Sequence, residues 1–210
     1  SNGQVMLVNP NGVVFGKDSI INVGGMIASG MSIDPTSFIN GDFTLNSLEG
    51  TDGKVINYGI INAATGGSVT LVGQQVQNNG LISAKLGAVN LAAGNAAVLT
   101  FDPSGLVGVK VTEAVLQQEL GVDAAVINNG TINADGGRVL LSASVSEDIF
   151  SDAVNNGGMN KTSSVVMHED GSFTLGAGAD VINTGHIDTS VANGAAGKVV
   201  VVGNNVTTSG

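Results

Sequence analysis

The sequence contains no cysteine and no tryptophan, and its 210 residues include one tyrosine and three prolines. The absence of cysteine excludes disulfides, thiolate metal sites and cysteine nucleophiles together, so packing and hydrogen bonds must hold the fold. No apolar run reaches the roughly 18 residues needed to cross a bilayer, and no charged segment followed by an apolar one stands at Ser1. We expect a soluble piece of protein that does not insert into a membrane.

Basic residues are scarce. The chain has seven Lys and Arg residues against seventeen Asp and Glu residues, which gives a formal net charge of −10, and Arg138 is its single arginine. The few cations are scattered along the chain, so no basic stripe can form and nucleic acid is not an expected partner. Charge alone identifies no other partner.

Glycine and aliphatic residues dominate what is present. There are 32 glycines, and apolar residues make up 42% of the chain, whereas aromatic residues contribute 3% and charged residues 11%. Valine, isoleucine and threonine favour strands, and glycine and asparagine tolerate the backbone of tight turns. The composition therefore predicts many short strands separated by tight turns.

Two motifs alternate along the chain. The first, usually an apolar pair followed by Asn, any residue, Gly, any residue and Ile, starts at Val55, Val76, Val126 and Val181. The second, Gly, any residue, Val or Phe, any residue and an aliphatic residue, starts at Gly3, Gly41, Gly67, Gly87, Gly137, Gly171 and Gly197. One cycle commonly takes about 20 residues (Gly59 to Gly80 is 21), which indicates one coil of a solenoid.

A single coil cannot bury its inner face, so the coils must stack, and the sequence predicts an all-β parallel β-helix of about six to seven coils. Alternation predicts that Val69 and Leu71 point inward, whereas Ser68 and Thr70 point to solvent. The asparagines of the first motif are expected to form an amide ladder, and they are Asn57, Asn78, Asn128 and Asn183. The glycine two residues after each is expected to permit a positive φ.

Two stretches depart from the repeat and are interpreted as insertions into a single domain spanning residues 1–210, at residues 92–125 and 144–170. Each is expected to carry a short helix, from Thr112 to Gly121 and from Ser144 to Val154, on the strength of capping signals. The polar stretch from Asn160 to Gly171 is predicted to be a loop. Insertions project from solenoids and are the expected binding surfaces. Both ends fall within a repeat, so we expect a longer parent protein.

Residues 2–16, which include Asn9-Pro10-Asn11-Gly12, resemble the filamentous-haemagglutinin family, the exoproteins of two-partner secretion. Asn-Pro-Asn-Gly is the signature motif of that family. The resemblance continues through residues 21–29 and 132–141, so it covers most of the chain.

The resemblance implies a right-handed parallel β-helix, cut from the N-terminal secretion region of a large bacterial adhesin. It implies export through the periplasm, recognition by a partner outer-membrane β-barrel transporter, and secretion to the medium or the cell surface. It also implies a role in cell adhesion or biofilm formation, with host-surface or matrix polysaccharide as a ligand of the full protein. Asn9, Pro10, Asn11 and Gly12 are carried over as the transporter-targeting turn, although turn formation alone would also explain them.

Polysaccharide lyases and glycoside hydrolases are the alternative, because some of them share the β-helix fold and use paired carboxylates. The candidate groups are Asp135 with Arg138, Glu147 with Asp148, and Asp180 with Asp188 around His186. None forms a convincing constellation. Asp188 occupies the position that Asn62, Ser83 and Asn133 hold in other coils, where a turn role explains it, and His186 falls at the variable position after Gly185. The sequence also lacks calcium-binding nonapeptides, phosphate loops and paired metal ligands. We therefore predict a protein that is not an enzyme and needs no cofactor or metal.

Overall fold

The computed structural model describes residues 2–103, 105–113, 126–134 and 137–143, and the strand residues 154–156, 165–167, 173–175, 181–183, 187–188, 200–201 and 206–208. Its first elements are β1 (Gln4–Val8), β2 (Val13–Phe15), β3 (Ile20–Val23), β4 (Gly25–Ser29), β5 (Ser32–Ile33), α1 (Pro35–Ile39), β6 (Thr44–Asn46), β7 (Lys54–Asn57), β8 (Ile60–Ala63), β9 (Ser68–Gly73), β10 (Gln75–Asn78) and β11 (Leu81–Ser83). They are followed by β12 (Ala88–Ala93), β13 (Ala96–Phe101), β14 (Val107–Glu113), β15 (Val126–Asn128), β16 (Thr131–Asn133), β17 (Arg138–Ala143), β18 (Val154–Asn156), β19 (Val165–Met167), β20 (Phe173–Leu175), β21 (Val181–Asn183), β22 (Ile187–Asp188), β23 (Val200–Val201) and β24 (Val206–Thr208).

The chain winds through three parallel sheets in turn, which is the architecture of a parallel β-helix. Sheet A has the order β1-β4-β9-β12-β17, sheet B β2-β7-β10-β15-β18, and sheet C β3-β8-β11-β16-β22. We number the coils by their sheet A strand: coil 1 starts with β1, coil 2 with β4, coil 3 with β9, coil 4 with β12 and coil 5 with β17. The predicted fold is confirmed.

The spacing of paired residues reproduces the predicted coil length where no insertion intervenes. Val76 of β10 lies opposite Val55 of β7, and Val89 of β12 lies opposite Val69 of β9. The inward side chains form one continuous core in which Val69, Leu71 and Val89 have no exposed surface. The predicted inward positions are thus confirmed.

A fourth, antiparallel sheet lies outside the helix. It has the order β14-β13-β6-β5, and we call it the strap sheet. β5, α1 and β6 leave coil 2 after its sheet A strand, and β13 and β14 leave coil 4 at the corresponding point. The strap sheet packs on the outer face of sheet A through a second core, which contains Ile27, Leu45, Val72, Ala92, Ala97, Leu99, Val107 and Val109.

The strap sheet overturns one prediction. Ser68 and Thr70 were expected to point to solvent, but both are buried. β14 covers them: the Ser68 hydroxyl accepts the Val107 N–H at 3.1 Å. The Asn90 amide donates both to the Thr70 hydroxyl at 2.9 Å and to the Val107 carbonyl at 2.8 Å. Strands β4, β9 and β12 of sheet A are therefore buried on both faces. The strap satisfies Ser68, and Asn90 of β12 satisfies Thr70.

The predicted helices are not found where the structure describes those residues. Thr112, predicted to cap a helix, lies in β14, where Val107 and Val109 are buried while Lys110 and Thr112 are exposed, a strand alternation. Val154, predicted to end the second helix, lies in β18. The remaining residues of both predicted helices, 114–121 and 144–153, lie outside the described residues.

Two further elements differ from the sequence analysis. Within the predicted polar loop from Asn160 to Gly171, Val165–Met167 forms β19, antiparallel to β20. Among the residues that the structure describes, a helix that was not predicted is α1, which begins after Asp34 and has Pro35 at its first position. Both residues are typical of a helix start, and proline suits a position whose N–H needs no partner.

The corner glycines are required for a reason other than the predicted one. None of Gly59, Gly80 and Gly130 has a positive φ. A Cβ on Gly80 would instead overlap the carbonyl oxygen of Gly59, and one on Gly130 would overlap that of Gly80. Glycine at this corner permits backbones of successive coils to approach each other closely.

The asparagine ladder is confirmed for three coils. Asn57 donates its side-chain N–H to Asn78 Oδ1 at 2.8 Å, and Asn78 donates to Asn128 Oδ1 at 2.7 Å. All three asparagines are buried. The next asparagine in register is Asn156 of β18, opposite Asn128, and not the predicted Asn183, which lies in β21 opposite Thr208.

Candidate functional site

The turn formed by Asn9, Pro10, Asn11 and Gly12 joins β1 to β2 at the first corner between sheets A and B. The Gly12 N–H donates to the Asn9 carbonyl at 2.9 Å, which closes a four-residue turn. The Asn9 side chain accepts the Asn11 N–H at 3.1 Å. Proline at the second position presets the backbone for this turn, so the local sequence specifies it.

Contacts with coil 2 hold the turn in place. The Asn9 N–H donates to the Ser29 carbonyl at 2.9 Å, and the Pro10 carbonyl accepts the Gly53 N–H at 3.1 Å. Gly12 has φ of +100°, and a Cβ there would stand 3.1 Å from the Lys54 carbonyl oxygen. Gly12 therefore has a conformational role that other residues fill poorly.

The two asparagines of the turn differ in what their side chains do. The Asn9 side chain is used within the turn, where its Oδ1 accepts the Asn11 N–H. The Asn11 side chain is exposed and makes no hydrogen bond to any residue that the structure describes. Nearby, Val14 of β2 is 64% exposed. The turn thus presents a free primary amide, three residues before an exposed apolar residue in sequence, on a fixed backbone.

Two clefts lie beside the strap sheet. An apolar cleft of about 340 Å³ is lined by Met6, Val8, Ile33, Pro35, Phe38 and Ile39. A polar cleft of about 620 Å³ lies under the loop that follows β6, with the amides of Asn46, Gln74 and Asn95 in its wall. The segment of coil 2 that lines both clefts was not recognised as an insertion, because the motif at Gly41 was assigned to a coil. The signal was the separation between Gly24 and Gly67, twice the usual coil length.

Of the candidate catalytic groups, the structure describes Arg138 and Asp188. Arg138, expected near Asp135, lies 3.7 Å from Asp102 in a partly exposed ion pair. Asp188 lies in β22 opposite Asn133, as its repeat position indicated. Asp135, Glu147, Asp148, Asp180 and His186 lie outside the described residues. Within the described part of the chain, no three acidic, histidine or cysteine residues are grouped as a metal site requires, and no helix has the length and hydropathy of a membrane span.

Comparison with known proteins identifies the family of this chain and relatives that include the following two. The family described as TPS secretion domain matches residues 1–189. The "Heme/hemopexin-binding protein" of Haemophilus influenzae is 33% identical over 152 residues, which cover 68% of this chain and 16% of that protein. The crystal structure of the HMW1 secretion domain from Haemophilus influenzae superposes with a TM-score of 0.61 at 26% identity, covering 99% of this chain and 52% of that one.

Proposed function

The chain belongs to the TPS secretion domain family, and on this basis we propose that a partner β-barrel transporter in the outer membrane recognises it during export of a larger exoprotein. The route runs through the periplasm and ends in the medium or on the cell surface. The chain spans about a sixth of the haem- and hemopexin-binding relative. That relative and the HMW1 protein have different names, yet both are similar to this chain over most of its length. A shared segment supports a shared step, and secretion is such a step.

The turn of residues 9–12 is the proposed contact with the transporter. The observation that carries this proposal is the exposed Asn11 amide, which the fold does not use. Its backbone is fixed by hydrogen bonds to Asn9 and to coil 2. A polar group held in place before binding loses little conformational entropy on docking, so a rigid turn suits recognition.

Separate substitutions of the two asparagines test this proposal. Export of the parent exoprotein by cells carrying the transporter would be compared for wild type, Asn11→Ala and Asn9→Ala, with Asn40→Ala as a control at another exposed asparagine. We expect Asn11→Ala to reduce secretion at least about tenfold while the purified protein keeps its urea midpoint. Such a loss corresponds to about 1.4 kcal/mol of binding, the size of one hydrogen bond.

The outcomes separate recognition from folding. Because the Asn9 side chain accepts the Asn11 N–H and so holds the turn, Asn9→Ala should lower both secretion and stability. If Asn11→Ala is secreted like wild type and Asn40→Ala, the turn serves only the fold and the proposed contact is wrong.

We propose further that the parent exoprotein supports cell adhesion or biofilm formation, with host-surface or matrix polysaccharide bound by other parts of it. Deletion of the gene for the parent protein should reduce adherence to host cells or biofilm mass in a static culture. Unchanged values in both assays would contradict this role. No catalytic function is proposed, because the matched family and the two relatives are described by secretion and by haem or hemopexin binding and not by catalysis.

A further inference from the structure

The strap sheet connects coils that are not neighbours. β6 belongs to coil 2 and β13 to coil 4, yet the two strands pair directly, with Leu45 opposite Ala97 and Thr44 opposite Val98. Additional bonds run from the Ser47 N–H to the Asn95 carbonyl at 2.7 Å and from the Leu99 N–H to the Phe43 carbonyl at 3.1 Å. Coil 3 contributes no strand to this sheet, because β9 and β10 are separated by Gln74 alone.

The space under the strap sheet is a core shared by three coils. Ile27 of coil 2, Val72 of coil 3 and Ala92 of coil 4 line the outer face of sheet A. Leu45 and Leu99 cover them from the strap, and all five side chains are buried. Neither half of the strap buries this face alone, because Leu45 comes from coil 2 and Leu99 from coil 4.

We propose that the strap sheet is a clasp, which closes only when coil 4 is in place and then makes coils 2, 3 and 4 open and close as one unit. In a plain solenoid each repeat contacts only its neighbours, so its stability is a sum of local terms and coils can open separately. A direct bond between coils 2 and 4 removes that independence, because coil 3 cannot leave the stack while β6 and β13 remain paired.

The clasp also gives folding a defined point of completion. Until β13 and β14 are available, β6 lacks its partner on one side, and Ile27 and Val72 lack the part of their cover that Leu99 supplies. Folding from the N-terminus therefore leaves coils 2 and 3 incomplete until residues near 113 are free to pair. This inference concerns the purified chain and holds whether or not the turn at residues 9–12 contacts a transporter.

Hydrogen exchange on the purified full chain tests the clasp at a distance. The variant is Leu99→Ala in coil 4, and the readout is the exchange of amides in β8 of coil 2, a sheet C strand outside the strap. A buried Leu→Ala change destabilises a cooperative unit enough to raise exchange at least about 30-fold. We expect that increase in β8 and in β12 together. The matched control is Leu48→Ala, at a half-exposed leucine in the loop that follows β6. It should leave amide exchange in β8 and in β12 unchanged.

A disulfide provides the opposite perturbation and remains informative if Leu99→Ala fails to fold. Thr44 and Val98 face each other in an antiparallel pair, where Cα atoms lie about 4.5–5.5 Å apart, within disulfide range. In the cysteine-free chain, Thr44→Cys/Val98→Cys can form one bridge only. Oxidation should slow exchange in β8 and β12 by the same factor, at least about tenfold, relative to the reduced protein.

A local response in either experiment overturns the proposal. If Leu99→Ala accelerates exchange in β12, β13 and β14 but leaves β8 within about threefold of wild type, the coils open independently. If oxidation of the disulfide protects only amides of the strap sheet, the strap covers the β-helix without coupling its coils.

Discussion

Asn78 holds the middle position of the amide ladder. It accepts from Asn57 and donates to Asn128, at 2.8 and 2.7 Å, and its Oδ1 also accepts the Gly80 N–H at 3.3 Å. Water does not replace these bonds, because the asparagine is fully buried. A buried amide that lacked a partner at this position would therefore lower the free energy of unfolding.

Replacement of Asn78 by alanine should be strongly destabilising. Asn57 and Asn128 would each lose a partner in a buried site, and the lost bonds together should lower the free energy of unfolding by about 2–4 kcal/mol. Urea denaturation monitored by circular dichroism measures this loss in the free energy of unfolding. The matched control is Asn62→Ala, which removes an exposed amide bond to Asn22 and should cost less than about 1 kcal/mol. Equal losses in the two variants would contradict the importance of burial.

The close approach of successive coils at Gly80 leads to a second prediction, on the stability of a Gly80 variant. Because a Cβ there would overlap the Gly59 carbonyl, Gly80→Ala must push two coils apart and should cost about 2 kcal/mol or more. Gly16→Ala is the control, since a Cβ at Gly16 meets no atom within 4 Å, and it should change stability by less than about 0.5 kcal/mol. Thermal unfolding of both variants distinguishes this explanation from one based on glycine flexibility, which predicts similar effects.

At the scale of elements, α1 depends on a charged cap. The pKa of Asp34 is lowered, mainly because its carboxylate accepts the backbone N–H of Ser37, at 2.7 Å, and secondarily by a bond with the Ser37 side chain. The bond favours the ionised carboxylate, so folding lowers the pKa. The cap is therefore present above the ordinary aspartate pKa and is lost as the pH falls through the lowered value.

The pH dependence can be measured at α1 itself. We expect the Ser37 amide resonance to titrate with a midpoint below the ordinary aspartate pKa of about 3.9. The asparagine side chain of an Asp34→Asn variant would still cap the helix without titrating, so the Ser37 shift should then lose its pH dependence. A midpoint at or above the ordinary value would show that the Ser37 bond does not control the carboxyl.

Sequence predicted some elements and missed others for identifiable reasons. Strands such as β9 and β12 were predicted because inward residues alternate and the motif recurs at coil length. α1 was missed although Asp34-Pro35 is a good helix start, because the segment between Gly24 and Gly67 was not recognised as an insertion. The motif at Gly41 predicted a strand of a coil, whereas its residues Thr44 and Leu45 lie in β6 of the strap sheet. Thr112 was assigned to a helix because local capping signals were given more weight than the alternation of Val107, Val109 and Val111.

At the scale of the molecule, the sequence predicted the stacking but not the strap sheet. A repeat reveals contacts between neighbouring coils, because each coil presents the same residues to the next. The burial of Ser68 and Thr70 depends on β14, about 40 residues later in the chain, and no local pattern indicates such a pairing. The turn at residues 9–12 was predicted and observed, whereas its recognition by a transporter stays a prediction.

The side-chain hydrogen bonds of the amide ladder all point the same way along the β-helix, from each asparagine to that of the next coil. The Gly59 N–H donates to Asn57 Oδ1 at 3.1 Å, which fixes the amide so that its N–H groups face the following coil. The preceding coil has Phe15 at this position. The phenylalanine side chain donates no hydrogen bond to Asn57 Oδ1. Each finished coil therefore offers a donor to the next asparagine to arrive, and acts as a template for growth from the N-terminus towards the C-terminus. The same polarity orders synthesis on the ribosome, so the ladder can be built in the order in which its rungs are made.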